Sequence, residues 1–113
     1  MNSRRKGADR ERELANILKE KGYDARRGQQ YSGANGDADV VGLPHIHIEC
    51  KGVENLSMRK AMEQSIGDAK EDEIPVVIYR KNYGKWQVNL MLDDFLVMYD
   101  CFHTWMRERG YHD

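Results

Sequence analysis

The spacing of apolar and polar residues along the chain predicts a helix followed by short strands. Residues 8–21 carry their apolar side chains at helical spacing and are followed by Gly22, a residue typical of a helix C-terminus. The segment 23–28 fits a short strand. Residues 38–42 and 46–51 are Val- and Ile-rich runs on either side of a turn. These two runs predict a β-hairpin.

The second half of the chain predicts helix, strand, strand and helix. The expected elements are a helix over 57–72 with Ser57 as its N-cap, a strand over 74–80 covered on both faces, an edge strand over 85–92, and a helix over 94–109 capped by Asp93 and ended by Gly110. This order predicts an α/β fold in which helices pack on a mixed sheet. The strand–helix–strand unit from 46 to 80 is expected to be a right-handed crossover between parallel strands.

The last helix carries a wide stripe of apolar residues. Its members are Phe95, Met98, Tyr99, Phe102, Trp105 and Met106. Most of this stripe is predicted to belong to the core, and a share of it is a candidate dimer surface. The chain is expected to form one domain over residues 1–113, because 113 residues suit a single core.

Composition narrows the class of protein. Apolar residues make up 40% of the chain and charged residues 33%, which is typical of a folded domain rather than a disordered one. No apolar run approaches the ~20 residues that span a bilayer, and the N-terminus does not look like a secretory signal. Two cysteines do not make a disulfide scaffold, so a reducing cytoplasm is the expected location.

The net charge of −1 gives no indication of a polyanionic partner, but basic residues cluster locally. They are Arg4, Arg5, Lys6, Arg10 and Arg12 near the start, and Arg26 and Arg27 after the first helix. Such a cluster is compatible with phosphate binding and equally with ordinary solvated surface.

The predicted hairpin carries charge where a core strand would carry none. On the strand 46–51, alternation places Glu49 and Lys51 on the same face as His47. Asp39, on the preceding strand, can converge on Glu49. Two carboxylates beside an amine form an oxygen pocket of the kind that Mg²⁺ or Mn²⁺ requires. The alternative is a Glu–Lys surface pair, and Asp37 competes with Asp39 because alternation puts both on one face.

The first helix adds a further carboxylate to this picture. Glu11 lies within about 60° of Leu14 around the helix axis and therefore points with the apolar face toward the sheet. A buried carboxylate requires a cation. Glu11 is predicted either to meet a metal held by Asp39 and Glu49, or to sit at the rim and pair with Arg26 or Arg27.

In order along the chain, K-G-x-x-x-E-R-E (Lys6 to Glu13), Arg27, D-x-V (Asp39) and E-x-K (Glu49 and Lys51) resemble the archaeal-type Holliday junction resolvases. These belong to the PD-(D/E)xK, or restriction-endonuclease-like, nuclease superfamily. The resemblance implies a restriction-endonuclease-like core and a metal-dependent DNA endonuclease. It also implies a homodimer that cuts four-way DNA junctions, with a part in DNA recombination and repair.

The resemblance also implies a role for each matching residue. Asp39 and Glu49 would hold Mg²⁺, for which Mn²⁺ can substitute, and Glu11 would complete or support the metal shell. Lys51 would be the catalytic lysine. The residues expected to contact DNA are Arg12 and Arg27, with Lys6, Arg26 and Ser32.

Other interpretations stay open at this stage. They are a nicking or restriction-like nuclease with another DNA preference, a non-catalytic DNA-binding module of the same fold, and an interaction protein whose charges are only surface. His47 can flank the pocket or be an ordinary strand histidine, and Gln64 can face the site or the solvent. A small nuclease domain of this kind would suit a phage or a mobile element.

Overall fold

The computed structural model describes residues 3–29, 38–52 and 56–113, with side chains from residue 5 onward. This part of the chain forms three helices and five strands. They are α1 (Ser3–Glu20), β1 (Arg26–Arg27), β2 (Val40–Val41), β3 (Ile46–Lys51), α2 (Met58–Asp68), β4 (Ile74–Tyr79), β5 (Gln87–Leu90) and α3 (Leu92–Glu108).

The five strands form one mixed sheet in the order β1-β2-β3-β4-β5. β1 to β3 pair antiparallel, and β3 pairs parallel with β4 along its whole length, from Ile46 opposite Ile74 to Lys51 opposite Tyr79. β5 then pairs antiparallel with β4. The predicted α/β class, the hairpin before residue 51 and the parallel pairing around the second helix are confirmed.

The two faces of the sheet are covered by different helices. Leu14 and Ala15 of α1 pack on one face, against Val40, Ile48 and Cys50, which are buried. Ala61 and Met62 of α2 pack on the other face, around Val77. Because side chains alternate along β3, its even positions enter the α1 core while His47, Glu49 and Lys51 face α2. The expected burial of Cys50 away from the charged face is confirmed.

The element boundaries differ from the prediction where local backbone geometry overrides the apolar pattern. α1 begins at Ser3, five residues earlier than expected, and ends at Glu20, one residue before the predicted end. Gly22, with φ +99, follows it as expected. α2 stops at Asp68 because Ala69 turns to an extended conformation, although Ser57 is its N-cap as expected. Asp93 was wrongly predicted to cap the last helix: Met91 is the N-cap and Asp93 lies in the first turn, where a carboxylate still favours the helix dipole.

Glu13 joins α1 to the far edge of the sheet. Its carboxylate accepts hydrogen bonds from Arg80 at 2.7 and 3.0 Å and from the Trp86 indole at 3.0 Å. Arg10 adds an ion pair at 3.4 Å. The Arg80 hydrogen bond is the main reason that the pKa of Glu13 lies below its usual value. This network fixes how α1 crosses the sheet.

Helix α3 does not enter the core. Eight of its large apolar residues are between 44% and 67% exposed, Met106 is partly buried, and none of its residues is fully buried. Within the described ranges, α3 packs along no other helix or strand. The prediction that most of this stripe belongs to the core is therefore wrong, because the two helices that cover the sheet are α1 and α2.

In the described part of the chain, no helix has the length and apolar character needed to cross a membrane.

Gly42, directly after β2, gives a test of the hairpin geometry. It has φ +124, and a Cβ atom there would lie 2.5 Å from Ala25 Cα and 2.5 Å from Asp24 O. We expect Gly42→Ala to lower the free energy of unfolding by about 2 kcal/mol or more, since both the backbone conformation and the space exclude a side chain. The measurement is urea unfolding followed by circular dichroism.

Gly67 in α2 is the matched control for this substitution. A Cβ there meets nothing within 4 Å, so Gly67→Ala should be neutral or stabilising by up to about 1 kcal/mol through helix propensity. Equal effects of the two substitutions would contradict the assigned conformation at Gly42.

Candidate active site

Asp39 is held over β3 by backbone hydrogen bonds on both sides. Its N–H donates to Ile48 O at 3.0 Å, and its C=O accepts from Gly28 N at 2.9 Å. Its side-chain Oδ2 accepts from the Cys50 N–H at 2.9 Å. The antiparallel pairing of β2 with β3 therefore fixes the Asp39 carboxyl beside the residues that surround Cys50.

Asp39 and Glu49 form a close pair of carboxyl groups. Two causes together raise the pKa of Asp39 to about 7: burial, which is the larger, and the negative charge of Glu49. The two side chains are close enough to share a hydrogen bond. Such a bond requires a proton, so the pair carries a single negative charge near neutral pH in the absence of a cation. The predicted convergence of Asp39 on Glu49 is present.

Glu49 is almost fully buried and uses only part of its hydrogen-bonding capacity. Its Oε1 lies 3.1 Å from His47 Nε2. Its Oε2 is buried and has no hydrogen-bond donor among the described residues. The Glu49 hydrogen bond raises the pKa of His47, so the imidazole favours its charged form and donates to Glu49. Burial by itself would raise the pKa of Glu49. The pKa is nevertheless lower than usual, and the hydrogen bond with His47 is the largest of the causes that lower it.

Lys51 lies two residues beyond Glu49 on the same face of β3. Its Nζ donates to Gln64 Oε1 at 3.3 Å, across to α2. Gln64, for which the sequence left two positions open, thus faces the lysine.

Glu11 reaches the pocket from α1 but pairs with an arginine. Its Oε1 accepts from Arg27 Nε at 3.3 Å, and only 15% of its side chain is exposed. The charge of Glu11 is among the causes that raise the pKa of Asp39. The sequence left two possibilities for Glu11, a metal or an ion pair with an arginine, and the structure has the ion pair with Arg27. Glu11 is still close enough to Asp39 for its charge to act on it.

A second set of candidate ligands lies on the α2 side of Glu49. Ligand atoms of His47, Glu49 and Asp68 all lie within 4.8 Å of one another. Asp68 was missed from the sequence, although it is four residues after Gln64 and so on the same helix face. Carboxylate oxygens with an unsatisfied lone pair fit a hard divalent cation. A ligating imidazole must be neutral, and the hydrogen bond to Glu49, which raises the pKa of His47, works against that.

Basic residues line a shallow pocket of about 390 Å³ between α1 and β1. Its charged members are Arg12, Lys19, Arg26 and Arg27, of which Lys19 was missed from the sequence. Arg12 lies three residues before Ala15 and four before Asn16, which also line it, so helical spacing could have identified Lys19 at the next turn. Arg12 also pairs with Asp9 at 2.9 Å.

One predicted DNA-contact residue lies outside these clusters, and two further residues fall outside the described part of the chain. Lys6 lies half-buried in α1 and does not line the basic pocket. Ser32 and Asp37 fall outside the described residues, so the choice between Asp37 and Asp39 rests on the position of Asp39 alone.

This fold and pocket are those of a PD-(D/E)xK nuclease: a mixed sheet whose neighbouring strands present an aspartate, a glutamate and a lysine. A family model described as "Phage putative PDDEXK endonuclease" matches residues 2–109, and the chain belongs to that family. The match confirms the predicted superfamily and supports an endonuclease assignment, whereas it does not show the archaeal-type resolvase family. No curated protein and no solved structure matches the chain.

The Asp39–Glu49 pair predicts how the metal-free protein responds to pH. The folded state binds the Asp39 proton up to about pH 7, whereas the unfolded chain loses it near pH ~4. Stability should therefore fall as pH rises through this window. We expect Asp39→Asn, which can still accept from Cys50 N–H, to be more stable than wild type at pH 8 in EDTA.

Urea unfolding at pH 5 and pH 8 measures this difference. The control is Asp93→Asn, which removes an exposed carboxylate from α3 and should keep the wild-type pH dependence. An Asp39→Asn protein that loses as much stability between the two pH values as wild type would contradict the shared proton.

Proposed function

We propose that this protein is a metal-dependent DNA endonuclease that hydrolyses phosphodiester bonds at the pocket formed by Asp39, Glu49 and Lys51. The observation that carries the proposal is the buried Asp39–Glu49 pair, which keeps a proton to about pH 7 and leaves Glu49 Oε2 without a donor. Two adjacent buried carboxylates are unfavourable in a structure with no cation between them. The family match supports the same reaction.

Asp39 and Glu49 would hold Mg²⁺, or Mn²⁺ in its place. When bound, such an ion supplies a Lewis acid for the phosphoryl oxygen and lowers the pKa of a water ligand. The ion would take the place of the shared proton. Its positive charge would then offset the repulsion between the two buried carboxylates. Glu11 would support this site electrostatically from its ion pair with Arg27.

Lys51 would place its ammonium group next to the scissile phosphate. There it can orient the attacking water or neutralise charge that develops on the phosphate. Gln64 fixes the direction of this side chain through the 3.3 Å hydrogen bond to Nζ. Gln64 is thus a positioning residue and Lys51 the proposed catalytic one.

Arg12, Lys19, Arg26 and Arg27 would bind the DNA backbone. Their pocket lies between α1 and β1, next to Glu11 and hence close to Asp39. Guanidinium groups suit bidentate phosphate contacts, which position a nucleic acid without reading its sequence. Binding through them should weaken steeply with salt.

The proposed substrate is a four-way DNA junction, as in the archaeal-type resolvases that the motif order resembles. A nicking or restriction-like activity on linear duplex is the second candidate within nucleases. A non-catalytic DNA-binding module is the alternative outside enzymes. All three share the basic pocket and differ in what the metal pocket does.

Cleavage assays separate these possibilities. The purified chain is incubated with a synthetic four-way junction and with linear duplex of the same sequence, in Mg²⁺, Mn²⁺ or EDTA. We expect metal-dependent cleavage of the junction, and Glu49→Gln and Lys51→Ala should each lower the rate by ~100-fold or more. Gel-shift binding in EDTA should be retained.

Glu63→Gln and Lys60→Ala, exposed on α2, are the matched controls and should cut like wild type. Full activity of either pocket variant would overturn the assignment. Cleavage of duplex alone would favour the restriction-like candidate, and binding without cleavage in either metal would favour the non-catalytic module.

Calorimetric titration with Mn²⁺ distinguishes the two possible ligand sets. We expect Asp39→Asn to weaken Mn²⁺ binding by about tenfold or more, since it removes a first ligand of the proposed site. Asp68→Asn should change it little, because Asp68 is exposed and is not a ligand of the proposed site. The reverse pattern would move the metal to the His47, Glu49 and Asp68 cluster.

A further inference from the structure

Helix α3 presents an apolar surface that is too large for an isolated chain. Eight of its large apolar residues are about half exposed. The four aromatic ones, Phe95, Tyr99, Phe102 and Trp105, have roughly 150–250 Å² each to bury, so they alone leave about 400 Å² exposed. With the four aliphatic ones added, the apolar surface of α3 exceeds the roughly 300–600 Å² of the largest patch on a typical monomer.

The sheet opposite α3 is only partly covered, because Val88 of β5 is 57% exposed although Val76 and Ile78 of β4 are buried. An open groove of about 830 Å³ separates the helix from the β4–β5 side of the sheet. Its walls are apolar on both sides, and they include Val76, Ile78 and Leu90 from the sheet and Phe95, Tyr99 and Phe102 from α3. The α1 core ends at this point, because α1 crosses β1, β2 and β3 and leaves β5 free.

We propose that a second copy of this chain covers both surfaces, with helix α3 of each copy lying in the groove of the other. The groove and the stripe that would fill it belong to the same chain, which is the self-complementarity that a two-fold interface requires. The exposed apolar surface of α3 would supply a large part of the ~800 Å² that each partner buries in a standard interface.

The charges of α3 favour the same partner. Asp93 and Asp94 lie in its first turn and Arg107 in its last. If the two-fold axis lies perpendicular to the helices, the two copies of α3 run antiparallel, and the acidic end of each then lies near the basic end of the other. A 17-residue helix is also marginal in water on its own, and burial in the partner's groove would stabilise it.

The interface does not depend on the proposed function. Should the nuclease activity also hold, the dimer would carry two metal pockets, one for each strand of a DNA substrate. The experiments below use neither DNA nor metal, so their failure and the failure of the cleavage assay are separate outcomes.

Sedimentation equilibrium over a range of protein concentrations tests the association. Wild type should have twice the 13.2 kDa mass of one chain. Phe102→Glu, which places a charge in the apolar stripe, should weaken dimerisation by at least tenfold. Thr104→Glu adds the same charge on the opposite, exposed side of α3 and should stay dimeric. A monomeric wild type, or equal dimerisation of the two variants, would overturn the proposal.

Photo-cross-linking tests the arrangement in an otherwise wild-type chain, so that it does not rely on how Phe102→Glu folds. Val88, which lines the groove and is exposed, is replaced by p-benzoylphenylalanine in a mixture of ¹⁴N- and ¹⁵N-labelled chains. Cross-links between Val88 of a chain with one label and α3 of a chain with the other label would support the proposal that α3 lies in the partner's groove. Cross-links confined to one label would show that α3 folds back on its own sheet, and would overturn it.

Discussion

The repulsion between two neighbouring buried carboxyl groups is the constraint around which this molecule is organised. Asp39 and Glu49 are brought together by the pairing of β2 with β3, and the backbone N–H of Cys50 holds Asp39 in place. Neither side chain can turn away without breaking that pairing. The surrounding groups reduce the electrostatic cost: His47 donates to Glu49, and Asp39 keeps a proton to about pH 7. A divalent cation would remove the remaining cost, which is why the same geometry that strains the metal-free fold suits a metal-dependent nuclease.

Helix α1 connects this pocket to the rest of the fold through two acidic residues on its opposite sides. Glu11 pairs with Arg27 of β1, and Glu13 binds Arg80 and Trp86 beyond β4. The helix is thereby fixed across the sheet at both of its edges, with Leu14 and Ala15 in the core between them. Because Glu11 holds Arg27 at the β1 edge, the basic pocket lies next to the carboxylates. Phosphate binding and hydrolysis would therefore use adjacent sites, which the Glu11–Arg27 ion pair connects.

Helix α3 has the opposite relation to the core. Its apolar stripe has the periodicity of a core helix, yet α1 already covers β1 to β3 on one face of the sheet, and α2 covers β3 and β4 on the other. The stripe and the free β4–β5 surface are each apolar and each incomplete. A partner copy satisfies both, since hydrophobic burial depends on area and not on which chain supplies it.

The sequence by itself determined the element types, the parallel β3–α2–β4 unit and the face of β3 that carries Glu49 and Lys51. These follow from periodicities of 3.6 and 2, which local backbone geometry enforces. It also indicated Asp39, Glu11 and Arg27, because charged residues among apolar ones require partners. It placed the α3 stripe wrongly in the core, and it did not identify Asp68, Lys19 or the binding of Glu13 to Arg80 and Trp86. Only the tertiary structure decided these, since they depend on which helix covers which face of the sheet and how it is rotated there, and a periodic pattern shows that a face is apolar without showing what it packs against.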